Sequence, residues 1–156
     1  MINARGETFA EKPSFRVAAR RRRCLIPTDG FYEWQKRGKT KQPYYIHRPD
    51  DGPFAFAGLW EHWRPKDADG PEIESCTIVT TEANALMQDL HERMPVILAP
   101  NDYTQWLDPD EQDVDAVAHL IAPCPDDELV AHPVSTHVNR PKNDDVSCIE
   151  ALRELF

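Results

Sequence analysis

Residues 22 to 34 read RRCLIPTDGFYEW, and this stretch decides the class of fold. Two apolar runs, Cys24-Leu25-Ile26 and Phe31-Tyr32-Glu33-Trp34, are split by Pro27-Thr28-Asp29-Gly30, whose residues supply turn chemistry, so the stretch predicts two strands and a bend. Strand alternation places Phe31 and Glu33 on one face and Tyr32 and Trp34 on the other, with large apolar groups on both sides. Glu33 is thus either a half-exposed strand residue or a desolvated acid. A desolvated carboxyl would have a raised pKa and could shuttle protons near neutrality.

Downstream the pattern continues as short strands. Lys36 to Lys41 is a polar hairpin tip, and Pro43 to His47 and Phe54 to Trp60 are β-rich runs separated by Pro49-Asp50-Asp51-Gly52, together predicting a meander. Cys76 to Thr80 is a further strand. Thr81 is placed to cap a helix through Leu90 that stops before Pro95, with Ala83, Leu86, Met87 and Leu90 at helical spacing. Val96 to Leu98 reads as a buried strand, Asn101 as the cap of a helix over Asp102 to Leu107, and Val114, Val117, Ala118 and Ile121 as the stripe of another. Leu129 to Val138 returns as a strand broken by Pro133, and Ile149 to Phe156 as a final helical turn. Strands outnumber helices without alternating regularly, which predicts an α+β fold with a mainly antiparallel, barrel-like β-sheet and a few short helices.

The chain has 156 residues, enough for one domain, and its 40% hydrophobic and 29% charged content is ordinarily globular. Fourteen prolines against six glycines disfavour a helix bundle. No apolar run approaches a bilayer span or a signal segment, so the expectation is a cytoplasmic protein with no membrane partner. Cys24, Cys76, Cys124 and Cys148 form no CxxC pair and read as reduced thiols.

The net charge of -9 hides an asymmetry: residues 1 to 48 carry +8 and residues 49 to 156 carry -17. A basic first third suggests a local anionic partner, because phosphate binding depends on charge within a Debye length. Arg20 to Arg23 can equally be a solvated strand edge. His91 and Arg93 in HERMP pair an imidazole with a guanidinium fork, and Pro95 forces an extended approach that points them the same way. His47, His62, His119, His132 and His137 read as ordinary histidines, since no His, Cys, Asp and Glu set has metal-ligand spacing. HExxH, P-loop, GxSxG and GxGxxG motifs are absent.

INARGET (2–8), KPSF (12–15), RRCLIPTDGFYEW (22–34), QPYYI (42–46), FAGLW (56–60), TTEAN (80–84), HERMP (91–95) and VSTHVN (134–139) together resemble the SRAP family, the SOS-response-associated peptidases or abasic-site processing proteins. The resemblance implies DNA repair in the SOS response. An N-terminal cysteine attacks the aldehyde of an abasic site in single-stranded DNA, its amine forming a Schiff base and its thiol closing a thiazolidine. It implies Asn3 to orient the nucleophile, Glu33 to shuttle protons, His91 to assist ring opening, Arg5 and Arg93 to hold phosphates, and Trp34 to touch the strand or pack. No cofactor or metal is implied, and the partner is single-stranded DNA bound by a monomer. The family's Cys-Gly-Arg start is not in this sequence, so residues 1–156 are expected to be an SRAP domain without its nucleophile segment and inactive as they stand. Two other readings remain: a non-catalytic single-stranded DNA binder with Trp34, Tyr44 and Tyr45 as stacking residues, or a hydrolase in which Glu33 and His91 activate water. The family reading also expects Asn3, Glu33 and His91 in one cleft, and a basic groove floored by Arg5 and Arg93.

Overall fold

The structure is a computed structural model and describes residues 1–65 and 70–152. It is a mixed α+β fold with a curled sheet and few short helices, as the strand-rich pattern predicts. Contacts divide the chain into two interleaved compact units: residues 1–27, 55–82 and 94–124, and residues 28–54, 83–93 and 125–156.

The first unit is built on a six-stranded sheet. Strands β1 (Asn3–Arg5), β6 (Ile73–Glu82), β5 (Phe54–Trp63) and β2 (Arg23–Thr28) lie side by side in that order, with β7 (Arg93–Pro95) on β6 and β8 (Ile97–Leu98) on β5. β1 runs parallel to β6, whereas β5 is antiparallel to both β6 and β8. Leu59, Val79, Val96 and Leu98 from the strands meet Phe9, Phe15, Trp106, Val114 and Val117 in one buried cluster. Gly58 in FAGLW is required by close approach: a Cβ there would lie 2.8 Å from Ile26 Cδ1 and 2.9 Å from Cys24 Sγ, so β2 side chains cross β5 only over a bare backbone.

Helix α1 (Arg16–Arg21) has no counterpart in the strand-edge reading of Arg20 to Arg23. It buries Ala18 and Ala19 and exposes Arg16, Val17, Arg20 and Arg21. With two small alanines set among three arginines, its core face carries almost no hydrophobic signal. Arg23, just beyond it, is 8% exposed and makes four hydrogen bonds to backbone carbonyls. Its Nε donates to Trp106 O at 2.6 Å, Nη1 to Ala19 O at 2.9 Å, and Nη2 to Asp108 O and Glu111 O, both at 2.8 Å. Trp106 returns the tie by donating Nε1 to Cys24 O at 2.9 Å. Arg22 is spent on Glu61, at 2.6 Å.

The second unit holds a three-stranded antiparallel sheet, β3 (Gly30–Arg37), β4 (Thr40–His47) and β9 (Val130–Pro133). The expected meander is therefore corrected: β4 pairs with β3 and β9, while β5 belongs to the other sheet. Alternation reports which face a residue takes and is silent on its neighbouring strand. Helix α2 (Ala85–Gln88) is shorter than expected and capped by Asn84, whose side chain accepts from Met87 N, because β6 runs on through Glu82 and takes Thr81 with it. Asn101 makes no cap: Pro100–Asp102 is a single 3-10 turn leading into α3 (Tyr103–Leu107). The Val114 to Ile121 stripe folds as 3-10 turns over Asp115–Leu120, leaving Ala118 exposed. Leu129 to Val138 is shortened to β9 plus a 3-10 turn, Thr136–Asn139. The expected terminal helix is replaced at Ala151 by a bridge to Val134, and its last residues, 153–156, lie outside the described residues. Among the described residues no helix is long and apolar enough to cross a membrane.

Arg23→Lys keeps the charge but cannot serve four carbonyls arrayed around a planar fork, and buried acceptors left unpaired are expensive. We expect a loss of about 3 kcal/mol, read as a lower urea midpoint at unchanged slope. A midpoint equal to that of the parent protein would contradict this role.

Candidate active site

Asn3 and Arg5 flank Ala4 on β1, and Ala4 is 1% exposed in the core. The alternation that buries Ala4 turns Asn3 and Arg5 outward on the same face, about 7 Å apart along the strand. Neither side chain has a partner among the described residues. β1 is held by its parallel register, Asn3 beside Ile78 and Arg5 beside Thr80, and Gly6 N donates to Thr80 O at 2.8 Å. The first unit thus presents an amide and a guanidinium together on a rigid strand.

In the second unit Glu33 is half-buried on β3, opposite Tyr44 of β4, and Trp34 N donates to its Oε2 at 3.4 Å. Gln35 and Arg37 continue the same face. Gln35 Nε2 donates to Asp89 O at 2.9 Å, Arg37 Nε donates to Gln35 Oε1 at 2.8 Å, and Arg37 Nη2 donates to Tyr44 OH at 2.9 Å. The Gln35 bond draws the segment just before His91 to the side of the sheet that carries Glu33. His91 itself is exposed, and Arg93 N donates to its Nδ1 at 3.0 Å. Nδ1 also lies 3.1 Å from Arg93 O, and Nε2 has no partner among the described residues. Arg93 is half-buried at the start of β7. Gln35 and Arg37 escape sequence reading, since a strand Gln or Arg carries no signal of what loop it will meet.

Trp34 lies on the opposite face from Glu33. Its Nε1 donates to Asn139 Oδ1 at 2.8 Å, and its ring sits 6.3 Å from Tyr32. That face continues through Tyr45, stacked on His47 at 5.1 Å, to His132. Gly30 lies beneath the Tyr45 ring, where a Cβ would come within 2.5 Å of it. Burial, aided by Asp29, holds the Tyr32 and Tyr45 hydroxyls above their ordinary pKa.

Several histidines are engaged as the bland reading expects: His47 with Asp51 and His62 with Glu72, both at 2.7 Å. His137, Asp145 and Cys148 bring one donor atom each within 4.8 Å of one another, a clustering that their spacing in sequence does not reveal. The pair inside it is already bonded, His137 Nε2 to Asp145 Oδ2 at 2.9 Å, with Asn143 Nδ2 against His137 Nδ1 at 3.1 Å. Bonds to His137 and Ser147 hold the Asp145 carboxyl below its ordinary pKa.

All four cysteines are free. Cys24 is pushed up to about 11 by burial and then by the neighbouring Cys76, while Cys124 and Cys148 are buried. Cys76 is exposed.

These elements define a known class. The chain belongs to the SRAP family, described as SOS response associated peptidase, whose model matches residues 1–141. It is 46% identical over 152 residues to the abasic site processing protein YoqW of Bacillus subtilis (strain 168), covering 97% of this chain and 67% of that one. It is 32% identical over 169 residues to the abasic site processing protein HMCES of Xenopus tropicalis, covering 96% of this chain and 50% of that one. The chain therefore spans about two thirds of the Bacillus relative and half of the vertebrate one. A crystal structure of a protein from Bacteroides thetaiotaomicron matches with a TM-score of 0.87 and 34% identity, over 96% of this chain and 66% of that one.

Thiolate availability sorts the cysteines. Iodoacetamide at pH 8 is expected to label the native protein once, at Cys76, as peptide mass spectrometry would show; labelling of Cys24 first would contradict the burial argument. The Cys24 pKa is raised on folding, so its contribution to stability is complete below pH 9 and is lost as pH climbs to about 11. Cys24→Ala should therefore flatten the alkaline decline of the urea midpoint.

Proposed function

We propose that this chain binds single-stranded DNA at abasic sites and supplies the proton-transfer and phosphate-holding groups of SRAP chemistry. The observation that carries the reading is the Gln35 bond to Asp89, which brings the His91 loop to the face of the sheet where Glu33 stands. The exposed pair Asn3 and Arg5 adds an amide and a phosphate contact on β1, and the names of the relatives supply the substrate class.

In this reading the sugar opens to its aldehyde as His91 passes a proton to the departing ring oxygen and the anomeric hydroxyl gives up its own. An α-amine adds to the aldehyde carbon and water leaves, giving an imine, with Glu33 relaying the protons. The thiol of the same residue then adds to the imine carbon, and its proton passes to nitrogen, closing the thiazolidine. Asn3 orients that residue, Arg5 and Arg93 hold phosphates, and Trp34 packs on the face of β3 opposite Glu33. Cys24, Cys76, Cys124 and Cys148 all have their amines in peptide bonds. None of them can form both bonds, so the cross-link requires a cysteine whose α-amine is free.

A denaturing gel after incubation with an abasic oligonucleotide tests this. The 156-residue polypeptide should give no heat-stable band, whereas a version extended upstream to the family's Cys-Gly-Arg start should give one. In that version Glu33→Gln or His91→Ala should slow adduct formation by about 100-fold while leaving non-covalent binding within a few fold. A heat-stable adduct from the 156-residue polypeptide would sink the assignment.

A further inference from the structure

Helix α1 divides a run of arginines into structural and unspent ones. Arg22 is committed to Glu61 and Arg23 to four backbone carbonyls. Arg16, Arg20 and Arg21 are exposed and form no ion pair or hydrogen bond among the described residues. With Val17 and Gln112 they line an open cleft of about 410 Å³. Burial of Ala18 and Ala19 fixes this orientation, since the other four residues of the helix then occupy its outer arc.

The acidic loop beside this cleft would ordinarily neutralise it. Three of its carboxylates are bonded to the loop's own backbone and not to α1: Asp110 N donates to Asp108 Oδ1 at 2.9 Å, Asp113 N to Glu111 Oε1 at 2.8 Å, and Asp115 N to Asp113 Oδ1 at 3.0 Å. The carbonyls of Asp108 and Glu111 meanwhile bind Arg23. The same buried arginine thus anchors the loop in the conformation in which Asp108, Glu111 and Asp113 bond to its own backbone. Three guanidiniums remain facing solvent without a counter-charge bonded to them.

We infer that this cleft is a second phosphate-binding site, taking the phosphodiester backbone of single-stranded nucleic acid apart from the Asn3 and Arg5 face. Arg16 and Arg20 stand one helical turn apart, on the order of 5–6 Å between Cβ atoms, so their forks suit successive phosphates rather than one small anion. Gln112 offers a neutral amide at the mouth, able to donate to a phosphate or sugar oxygen. The inference rests on the nucleic-acid reading above. It concerns strand affinity, not chemistry at the lesion.

The test uses an undamaged, fluorescently labelled single-stranded oligonucleotide and the whole chain, with anisotropy followed across a salt series. Each phosphate contact contributes about 0.7 to the slope of log affinity against log salt, so the R16A/R20A/R21A variant should lose about 2 units of slope. Gln112→Glu should weaken binding at low salt. K36Q/K39Q/K41Q, which removes the same charge from the β3–β4 hairpin, should leave the slope near that of the parent protein. An unchanged slope in the arginine variant, an equal loss in the lysine variant, or no strand binding by the parent would each overturn the proposal. Melting temperatures within about 2 °C of the parent show that the variants remain folded. Because the oligonucleotide has no abasic site, this outcome is independent of the adduct gel.

Discussion

The first unit depends on one buried cation. An arginine in an apolar interior is costly unless its donors find partners, and Arg23 directs four of its five N–H groups to the backbone carbonyls of Ala19, Trp106, Asp108 and Glu111. Burial presses its pKa downward while Glu111 and Asp108 push it back up, and a guanidinium stays charged under such opposing forces. The result is a polar rivet among apolar side chains: it joins the end of α1, the start of β2, the end of α3 and the loop beyond. Trp106 closes the arrangement with its ring 5.7 Å from the guanidinium carbon and its indole N–H on Cys24. Replacing the cation by an apolar residue would leave those carbonyls unpaired, so charge and fold are inseparable there.

In the second unit the governing constraint is the period of two along β3. Glu33, Gln35 and Arg37 take one face and Tyr32 and Trp34 the other, so five neighbouring residues build two different environments. One is a hydrogen-bonded polar strip that reaches the His91 loop through Gln35. The other is a ladder of rings spanning three strands, open to Tyr45 because residue 30 has no side chain. A shift of register by one residue would exchange acid for indole, which is why the β3–β4 pairing, Gly30 with His47 through Arg37 with Thr40, matters to the chemistry.

Membership of the SRAP family and the free-thiol chemistry meet at one point. The proposed mechanism needs an amine and a thiol on a single residue, and the α-amines of Cys24, Cys76, Cys124 and Cys148 all lie in peptide bonds. The first unit carries an amide and a guanidinium on β1, and the second carries an acid on β3 and an imidazole ahead of β7. Groups of this kind orient and protonate a substrate without forming a bond to it.

The sequence by itself determined the α+β class, the bend at Asp29-Gly30, the two faces of β3 and, through GFYEW and HERMP, the family. Those features are local: alternation, turn chemistry and motif spacing are written within a few residues of where they act. Pairing was not legible, because β4 finds β9 more than eighty residues further on and nothing in either strand names the other. Helix α1 was hidden by its own arginines, and the α2 cap moved from Thr81 to Asn84 once β6 had run on through Glu82, where β7 pairs with it. Only the tertiary structure sorted the basic run into a salt bridge at Arg22, a buried rivet at Arg23 and unspent charges at Arg16, Arg20 and Arg21. The partners that decide this are mainly backbone carbonyls and distant acids, and a carbonyl has no residue identity to read.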